Sequence, residues 1–490
     1  MKQLKMLLEK IDYTCIQGND QIEISELVYD SRQQCEKGVF VCINGSEKNG
    51  IEFLREVVEK GIRAIVIDQD IEIIKEVEKT LRGITLIKVH NARVALAYMS
   101  AAYFDYPAEH ITTIGVTGTK GKTTTTYMIK AILENIGVAT GLIGTIEVSI
   151  GDEKIGSENT TPESWVIQKY LRKMVDKGLQ AVVMEVSSQG LMLHRVDGIL
   201  FDYGVFTNIG KDHIGKNEHK DFDEYIKCKA MLFRQCKKAI VNRDDEHLEQ
   251  VLYGHTCQVE TFGIIKEANF RGTNIELYHQ NGILGVIYNL SGNINMKVLL
   301  EIPGRFSIYN SLAAIGVCSH FSSDKDAISK GIMAVKVRGR VELIPFSKDF
   351  SVILDYAHNA MALESLLVTL REYKPKRLVC VFGCGGNRDR NRRFEMGEIS
   401  SKLADLTVVT SDNPRNEKPE AIIQDIISGV ERQEGKYIAI IDRIQGITYA
   451  IKNAQVGDVI VIAGKGHEDY QIIGNTKYHL DDKEIILSIK

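Results

Sequence analysis

Residues 111–126 read ITTIGVTGTKGKTTTT. A β-branched run, Ile111 to Val116, meets a glycine-rich turn, and Lys122 and Thr123 then open a helical stretch. In such a strand–turn–helix unit the backbone N–H groups at the helix start can cradle phosphates. Lys122 can neutralise β and γ oxygens, and Thr123 can offer its hydroxyl to Mg²⁺. Counted from Gly118 the spacing is GxxGKT, shorter than the usual GxxxxGK[ST]. The alternative is an ordinary βα turn that happens to carry Gly-Lys-Thr. The strand before and the helix after favour a nucleotide loop, with Gly118, Thr119, Lys120, Gly121, Lys122, Thr123 and Thr124 as its expected binding residues.

On the N-terminal side, short runs (VFVCI from Val39, AIVID from Ala64, ITLIKV from Ile84) alternate with helical patterns such as FLREVVEKG from Phe53. This predicts a small α/β domain. A helix from about Asn91 to Tyr103 leads into DYPAEH, a polar, proline-containing joint. On the C-terminal side, AVVMEVSS and YGVFTNIG are apolar runs ending in polar loops, as parallel strands end at a ligand crevice. Beyond VRGRVELIP, the runs SVILDYAH, RLVCVFGCGG, LTVVTSD and VIVIAGKG are separated by helices, a second doubly wound pattern. The expected fold is therefore α/β with three domains, 1–100, 101–337 and 338–490, the last Rossmann-like. A chain of 490 residues is too long for one ordinary core.

The strand ends sharpen the chemistry. MEVSSQG puts Glu185, and TNIGKDHIG puts Asp212 and His213, where a second metal ligand would face phosphates. Carboxylate and imidazole suit a hydrated Mg²⁺ beside a transferring phosphoryl group. Taken singly, each is a polar loop residue; their recurrence at several strand ends of one domain is what points to a site.

Composition closes off other classes. With 44% hydrophobic and 26% charged residues and only seven prolines, the chain can bury several cores and has no disordered character. A net charge of −4 gives no nucleic-acid surface. The opening MKQLKMLLEK is broken by Glu9, Lys10 and Asp12 and reads as a short amphipathic helix. No stretch approaches the roughly 20 apolar residues of a membrane span, so a cytoplasmic protein without a membrane partner is expected. Nine cysteines without a CxxC pair argue against a disulfide framework. Cys380 and Cys384 read as small buried residues rather than a zinc site.

The set TGTKGKTTT, NTTP, EVSSQGL, HRV, TNIGKDH, YIKCKAMLF, PGRFSIYNSLAA, GRVE, DYAHN, FGCGGNRD, SDNPR and GKGHEDYQ, in this order from about Asp30 to Gln471, resembles the Mur ligases. The resemblance is closest to members that add the third amino acid to the cell-wall peptide precursor. It implies a UDP-binding N-terminal domain, a central ATPase domain and a C-terminal amino-acid-binding domain; a monomer is expected. ATP and Mg²⁺ would convert a carboxylate to an acyl phosphate, which an amine then attacks. Phosphoryl transfer of this kind needs positioning and charge neutralisation, here from Lys122, Thr123, Glu185, His213 and Lys229. By the family's Y-x-x-x-K pattern, Lys229 after Tyr225 is the lysine carbamylated by CO₂ to an anionic metal ligand; without the resemblance it reads as a helix-surface lysine. The resemblance further implies nucleotide contacts from Asn310, Arg340, Asp355 and His358, with closure that would keep water from the acyl phosphate.

For the UDP-linked muramoyl dipeptide the resemblance implies Ser31, Asn159, Thr160, Thr161, Ser187 and Arg195. Leu193, the Lys48-Asn49-Gly50 stretch and GKNEHKDF depart from the family pattern there. SDNPR resembles the motif of diaminopimelate-adding members, implying Arg388, Asp412, Asn413, Pro414, Arg415, Gly464 and Glu468 at the amino-acid site. Diaminopimelate carries one carboxylate more than lysine, so Arg415 with Arg388 could bind it bidentately, while Asp412 and Glu468 take the distal ammonium. Read alone, Asp-Asn-Pro is a turn starter and Arg415 a solvated side chain. Asn387 and Phe394 replace the family's usual aspartate and proline. Two other readings stay open: the same ligase chemistry on another amino acid or acceptor, as in folylpolyglutamate synthases, and a nucleotide-controlled switch protein.

Overall fold

The computed structural model describes residues 1–45, 49–69, 81–211, 214–215 and 218–489. The chain divides into two compact units, 1–122 with 137–260 and 123–136 with 261–490.

The first unit holds two large sheets and a two-stranded pairing of Lys2–Gln3 with Glu23–Ile24. In the N-terminal large sheet the strand order is Tyr13–Gln17, Thr85–Val89, Ala64–Ile67, Val39–Val41, Leu27–Val28, parallel except for the first pair. Every residue of Ala64–Ile67 is buried, as a parallel strand covered on both faces requires. The helix Ala92–Tyr103 follows, its first N–H groups capped by the Asn91 side chain. The opening residues hold the expected short amphipathic helix at Leu4–Leu7, with Leu4, Leu7 and Leu8 buried and Lys5 and Met6 exposed, while Lys2–Gln3 before it pairs as a strand.

The second sheet of this unit runs Thr140–Ile143, Ala181–Glu185, Thr112–Thr117, Phe201–Phe206, Cys236–Asn242, all parallel. Glu147–Ile150 and Glu153–Gly156 extend one edge antiparallel. The register sets Glu185 beside Val116 and Phe206 beside Thr117, so the strand ends singled out in the sequence lie side by side at one edge.

In the second unit, Phe270–Gln280, Ile283–Gly292 and Met296–Leu300 form an antiparallel meander. The helix that follows the nucleotide loop packs with the helices after this meander. Asn135 donates to the Ala327 carbonyl, and a Cβ on Gly331 would stand 2.7 Å from the Ile132 Cα. The last sheet is ordered Glu342–Ile344, Ser351–Asp355, Asp458–Ala463, Arg377–Phe382, Leu406–Val409, Tyr437–Ala439, with only its first pair antiparallel. Alternate residues feed two cores. Leu378, Cys380 and Phe382 meet the helices Ala360–Arg371, Asn391–Leu403 and Pro419–Glu431, while Val379 and Val381 meet Arg443–Lys452 and Asp482–Ser488. The doubly wound expectation is met, with edge strands Glu342–Ile344 and Tyr437–Ala439 that the apolar runs did not single out.

Among the described residues no helix is long and apolar enough to cross a membrane. Cys380 and Cys384 are both buried, and burial pushes each thiol up to about 12.

Candidate active site

The loop after Thr112–Thr117 turns on two glycines with positive φ, Gly118 at 151° and Gly121 at 85°. A Cβ on Gly118 would stand 1.9 Å from the Thr207 hydroxyl, so no side chain fits there. The neighbouring strand end fastens the loop. The Asn208 carbonyl accepts from Thr119 N (2.8 Å), the Asn208 Oδ1 accepts from Lys120 N (3.0 Å), and Thr207 Oγ1 donates to the Lys120 carbonyl (2.7 Å). Two cations converge on one carbonyl. Lys122 Nζ and Lys229 Nζ each donate to Gly118 O at 2.8 Å.

Lys229 sits in the helix Phe222–Ala230 and is 1% exposed, which overturns its reading as a surface lysine. Its ammonium lies 4.5 Å from the Tyr225 ring centroid, and the Tyr225 hydroxyl meets Thr119 Oγ1 at 3.0 Å. The Y-x-x-x-K spacing thus places both residues against the Gly118–Gly121 loop.

Glu185 is buried at the end of its strand. Its carboxylate accepts from Thr145 N (2.8 Å) and Thr145 Oγ1 (3.1 Å), and Thr145 Oγ1 meets Thr160 Oγ1 at 3.0 Å. Thr161 Oγ1 donates to the Glu185 carbonyl and accepts from Ser187 N. A buried carboxylate among hydroxyls is a hard oxygen environment of the kind Mg²⁺ prefers. Lys229 suits that cation only when its charge is removed or inverted. Thr123 and Thr124 are buried at the start of the helix in the second unit. His213 and Asp212 lie outside the described residues.

Of the residues expected at the dipeptide, Thr160, Thr161 and Ser187 share this network with Glu185. Arg195 donates to Glu163 (2.8 Å) and to the Thr161 carbonyl (2.9 Å). Arg93 meets the same Glu163 carboxylate at 3.3 Å, joining the N-terminal sheet's helix to the NTTP loop. Ser31 is buried and its carbonyl accepts from Lys60, while Asn159 is exposed. Sequence reasoning missed Thr145, Glu163, Arg93 and His219. His219 is fully buried, its Nε2 2.8 Å from Ser188 Oγ and its ring tilted on Tyr225. The signal was present in GKNEHKDF as a histidine six positions before Tyr225.

In the second unit Asp355 accepts from Val341 N and Ala357 N, both at 2.8 Å. Burial raises its pKa, opposed by Arg340. Val341 holds φ at 48°, a strained setting for a β-branched residue, and Asp355 pins it there beside Arg340, whose guanidinium lies over the Tyr356 ring. His358 is exposed, its Nδ1 against the Tyr356 carbonyl. Asn310 is buried in the helix Arg305–Cys318.

The residues expected at the amino-acid site lie on the loops 385–388, 411–415 and 464–468. Asn413 donates to Glu468 (3.0 Å), which also meets Lys465 at 3.5 Å. Asp412 is buried, and burial raises its pKa against the pull of Arg443 and Lys465. A Cβ on Gly464 would stand 2.9 Å from its carboxylate. Arg415, at φ 51°, donates to the Gly386 carbonyl (2.8 Å). The exposed Arg388 comes beside it at Gly385, where an added Cβ would stand 2.8 Å from Arg415 Nη1 and 3.7 Å from Arg388 Cγ. Pro414 is buried within this loop.

The chain matches the Mur ligase middle domain over residues 116–318 and the Mur ligase glutamate ligase domain over 339–466. It is 41% identical to UDP-N-acetylmuramoyl-L-alanyl-D-glutamate–2,6-diaminopimelate ligase 1 of Clostridium acetobutylicum, covering 99% of this chain and 98% of that protein. It is 38% identical to the ligase of the same designation from Clostridioides difficile, covering 98% of each. A solved structure of a UDP-N-acetylmuramoyl-L-alanyl-D-glutamate–2,6-diaminopimelate ligase superposes with a TM-score of 0.72 at 25% identity, over 100% of this chain and 98% of that one. Folylpolyglutamate synthase of Mycobacterium tuberculosis shares the fold, with a TM-score of 0.59 at 19% identity over 76% of this chain and 92% of that one.

Proposed function

The chain belongs to the Mur ligase family of ATP-dependent amide-forming enzymes, and we propose that it adds meso-diaminopimelate to UDP-N-acetylmuramoyl-L-alanyl-D-glutamate during cell-wall precursor synthesis. The relatives' shared designation supports these substrates, and the observation that carries the ATP-dependent chemistry is the convergence of Lys122 and Lys229 on the Gly118 carbonyl, beside the strand that ends in Glu185. Cationic charge at the loop suits a triphosphate, and a buried carboxylate one strand away suits its metal. The nucleotide-switch alternative falls with the family assignment.

In this reading Gly118 to Thr124 hold the phosphates, with Asn310, Arg340, Asp355 and His358 at the rest of the nucleotide. Thr123, Glu185, His213 and Lys229 as its carbamate would hold Mg²⁺, which would draw charge from the transferring phosphoryl group. Carbamylation turns the Lys229 cation into an anionic oxygen donor and so removes the mismatch between a buried ammonium and a metal. The dipeptide's carboxylate attacks the γ-phosphorus to form an acyl phosphate and release ADP; the amine then displaces phosphate. Ser31, Asn159, Thr160, Thr161, Ser187 and Arg195 bind the UDP-linked acceptor, and the residues around Arg388, Arg415 and Glu468 bind the incoming amino acid. We assign these roles to regions 1–100, 101–337 and 338–490, in a monomer acting in the cytoplasm.

The test is turnover of UDP-MurNAc-L-Ala-D-Glu with ATP, Mg²⁺ and a panel of amino acids. Phosphate release strictly dependent on the dipeptide and on diaminopimelate is expected. Rapid turnover with lysine and none with diaminopimelate rejects the amino-acid assignment, and activity on another carboxylate alone rejects the acceptor.

A further inference from the structure

Two loops carry the arginines assigned to the second carboxylate of the incoming amino acid: 385–390 with Arg388, and 411–417 with Arg415. They are laced together at several points. Gly386 N donates to the Asn413 carbonyl (2.9 Å), Arg415 Nη1 donates to the Gly386 carbonyl (2.8 Å), and Asn416 N donates to Asn387 Oδ1 (3.1 Å). The approach is so close that a Cβ on Gly386 would stand 1.9 Å from the Pro414 carbonyl oxygen.

Glu417 lies at the centre of this lacing. Its Oε1 accepts from Asn387 N at 2.5 Å, and both of its oxygens accept from Arg393 Nη2 at 2.8 Å. Arg393 is only 3% exposed at its side chain and reaches on to Asp425, which also takes Arg390 by two hydrogen bonds. A buried arginine anchored in the helix Asn391–Leu403 therefore fixes Glu417, and Glu417 fixes the backbone of the facing loop. The residue at that backbone position, Asn387, has φ 55°. Asparagine adopts this left-handed setting readily, and its Oδ1 supplies the bond to Asn416.

We infer that Glu417 is the positioning residue for the Arg388–Arg415 carboxylate site, holding the two arginine-bearing loops in register through Asn387 and Arg393. This deepens the amino-acid assignment above and rests on it. Two guanidinium groups grip one carboxylate well only when their separation is fixed. A clamp that touches neither the amine nor the nucleotide tunes selectivity without entering the chemistry.

The test compares wild type with Glu417→Gln and Glu417→Ala in the full chain, measuring KM for diaminopimelate, lysine, ATP and the UDP-linked dipeptide, kcat, and the melting temperature. Glu417→Gln retains the shape and one acceptor oxygen and so keeps the fold. Expected is a rise of about tenfold in KM for diaminopimelate, larger for the alanine variant, and a matching fall in the selectivity over lysine. KM for ATP and for the dipeptide stays within about twofold. An unchanged KM for diaminopimelate in both variants overturns the inference, as does a parallel rise in every KM with a lowered melting temperature, which marks a merely structural role. A wild-type enzyme that does not use diaminopimelate overturns the amino-acid assignment itself, a separate result visible before any variant is made.

Discussion

The Lys229 ammonium donates to the Gly118 carbonyl at 2.8 Å, joining a residue of the Phe222–Ala230 helix to the first glycine of the loop proposed to bind the nucleotide. The ammonium is also sheltered from bulk water, where a carbamate would otherwise exchange freely. Replacing Lys229 by Ala should lower turnover by at least about 10²-fold while nucleotide affinity, measured by calorimetry with ADP, changes little. Depleting CO₂ should reduce wild-type activity, with bicarbonate restoring it. Near-normal turnover of Lys229→Ala would falsify the carbamate role.

Glu185→Gln keeps the volume of the side chain and its acceptor toward Thr145 but removes the charge. Turnover should fall about 10²-fold, and the Mg²⁺ concentration for half-maximal rate should rise. An unchanged magnesium dependence would exclude Glu185 from the metal site.

Gly118→Ala should lose nucleotide binding. The added Cβ meets Thr207 Oγ1 at 1.9 Å, in a backbone setting of φ 151° that alanine rarely takes. The strain is about 1–3 kcal/mol. Retention of normal ADP affinity in this variant would show that the loop can reshape without cost.

The side chains of Arg443 and Asp482 form an ion pair with two hydrogen bonds, of 2.8 and 2.6 Å, at 0% and 1% exposure. Arg443 also donates to the Ser411 and Ala463 carbonyls, at the strand ends that carry the amino-acid loops. Asp482→Ala leaves a buried guanidinium without its hydrogen-bonded carboxylate, with Asp412 and Glu468 as the remaining nearby charges, and should cost about 3–5 kcal/mol in urea unfolding. A loss below about 1 kcal/mol would mean that water reaches Arg443.

His467 is depressed from 6.5 to about 4 by burial and by Arg340 and Arg338. A histidine kept neutral in the folded state binds fewer protons than the unfolded chain between those values. Its contribution to stability is therefore full above about pH 6.5 and is lost as pH falls toward 4. Because the ring is partly accessible, the effect should be on the order of 1–2 kcal/mol, less than the full conversion of the shift. His467→Gln should flatten this part of the stability–pH curve; an unchanged slope would place the acid sensitivity elsewhere.

Much of the fold was legible because its strands announce themselves. Ala64–Ile67, Thr112–Thr117, Ala181–Glu185, Ser351–Asp355 and Asp458–Ala463 are apolar runs ending in glycine or polar loops, and burial on both faces of a parallel sheet produces that pattern. The meander of Phe270–Leu300 was not singled out, although ILGVIY from Ile283 is an apolar run, because its strands pair antiparallel and carry partly exposed residues among the buried ones. His219 and Thr145 were missed because their partners, Ser188 and Glu185, stand 31 and 40 positions away.

Local order alone determined the strand–glycine turn–helix unit at 112–135, since a strand, positive-φ glycines and a helix beginning at Lys122 are properties of neighbouring residues, and the motif order carried the family. Only the tertiary structure decided that Lys229 is buried on Gly118, that Glu185 sits one strand from the loop, and that Glu417 clamps the arginine loops. Those relations depend on which strands lie adjacent and which helices cover them. Such adjacency is set by the packing of the whole sheet, and no short stretch of chain contains it.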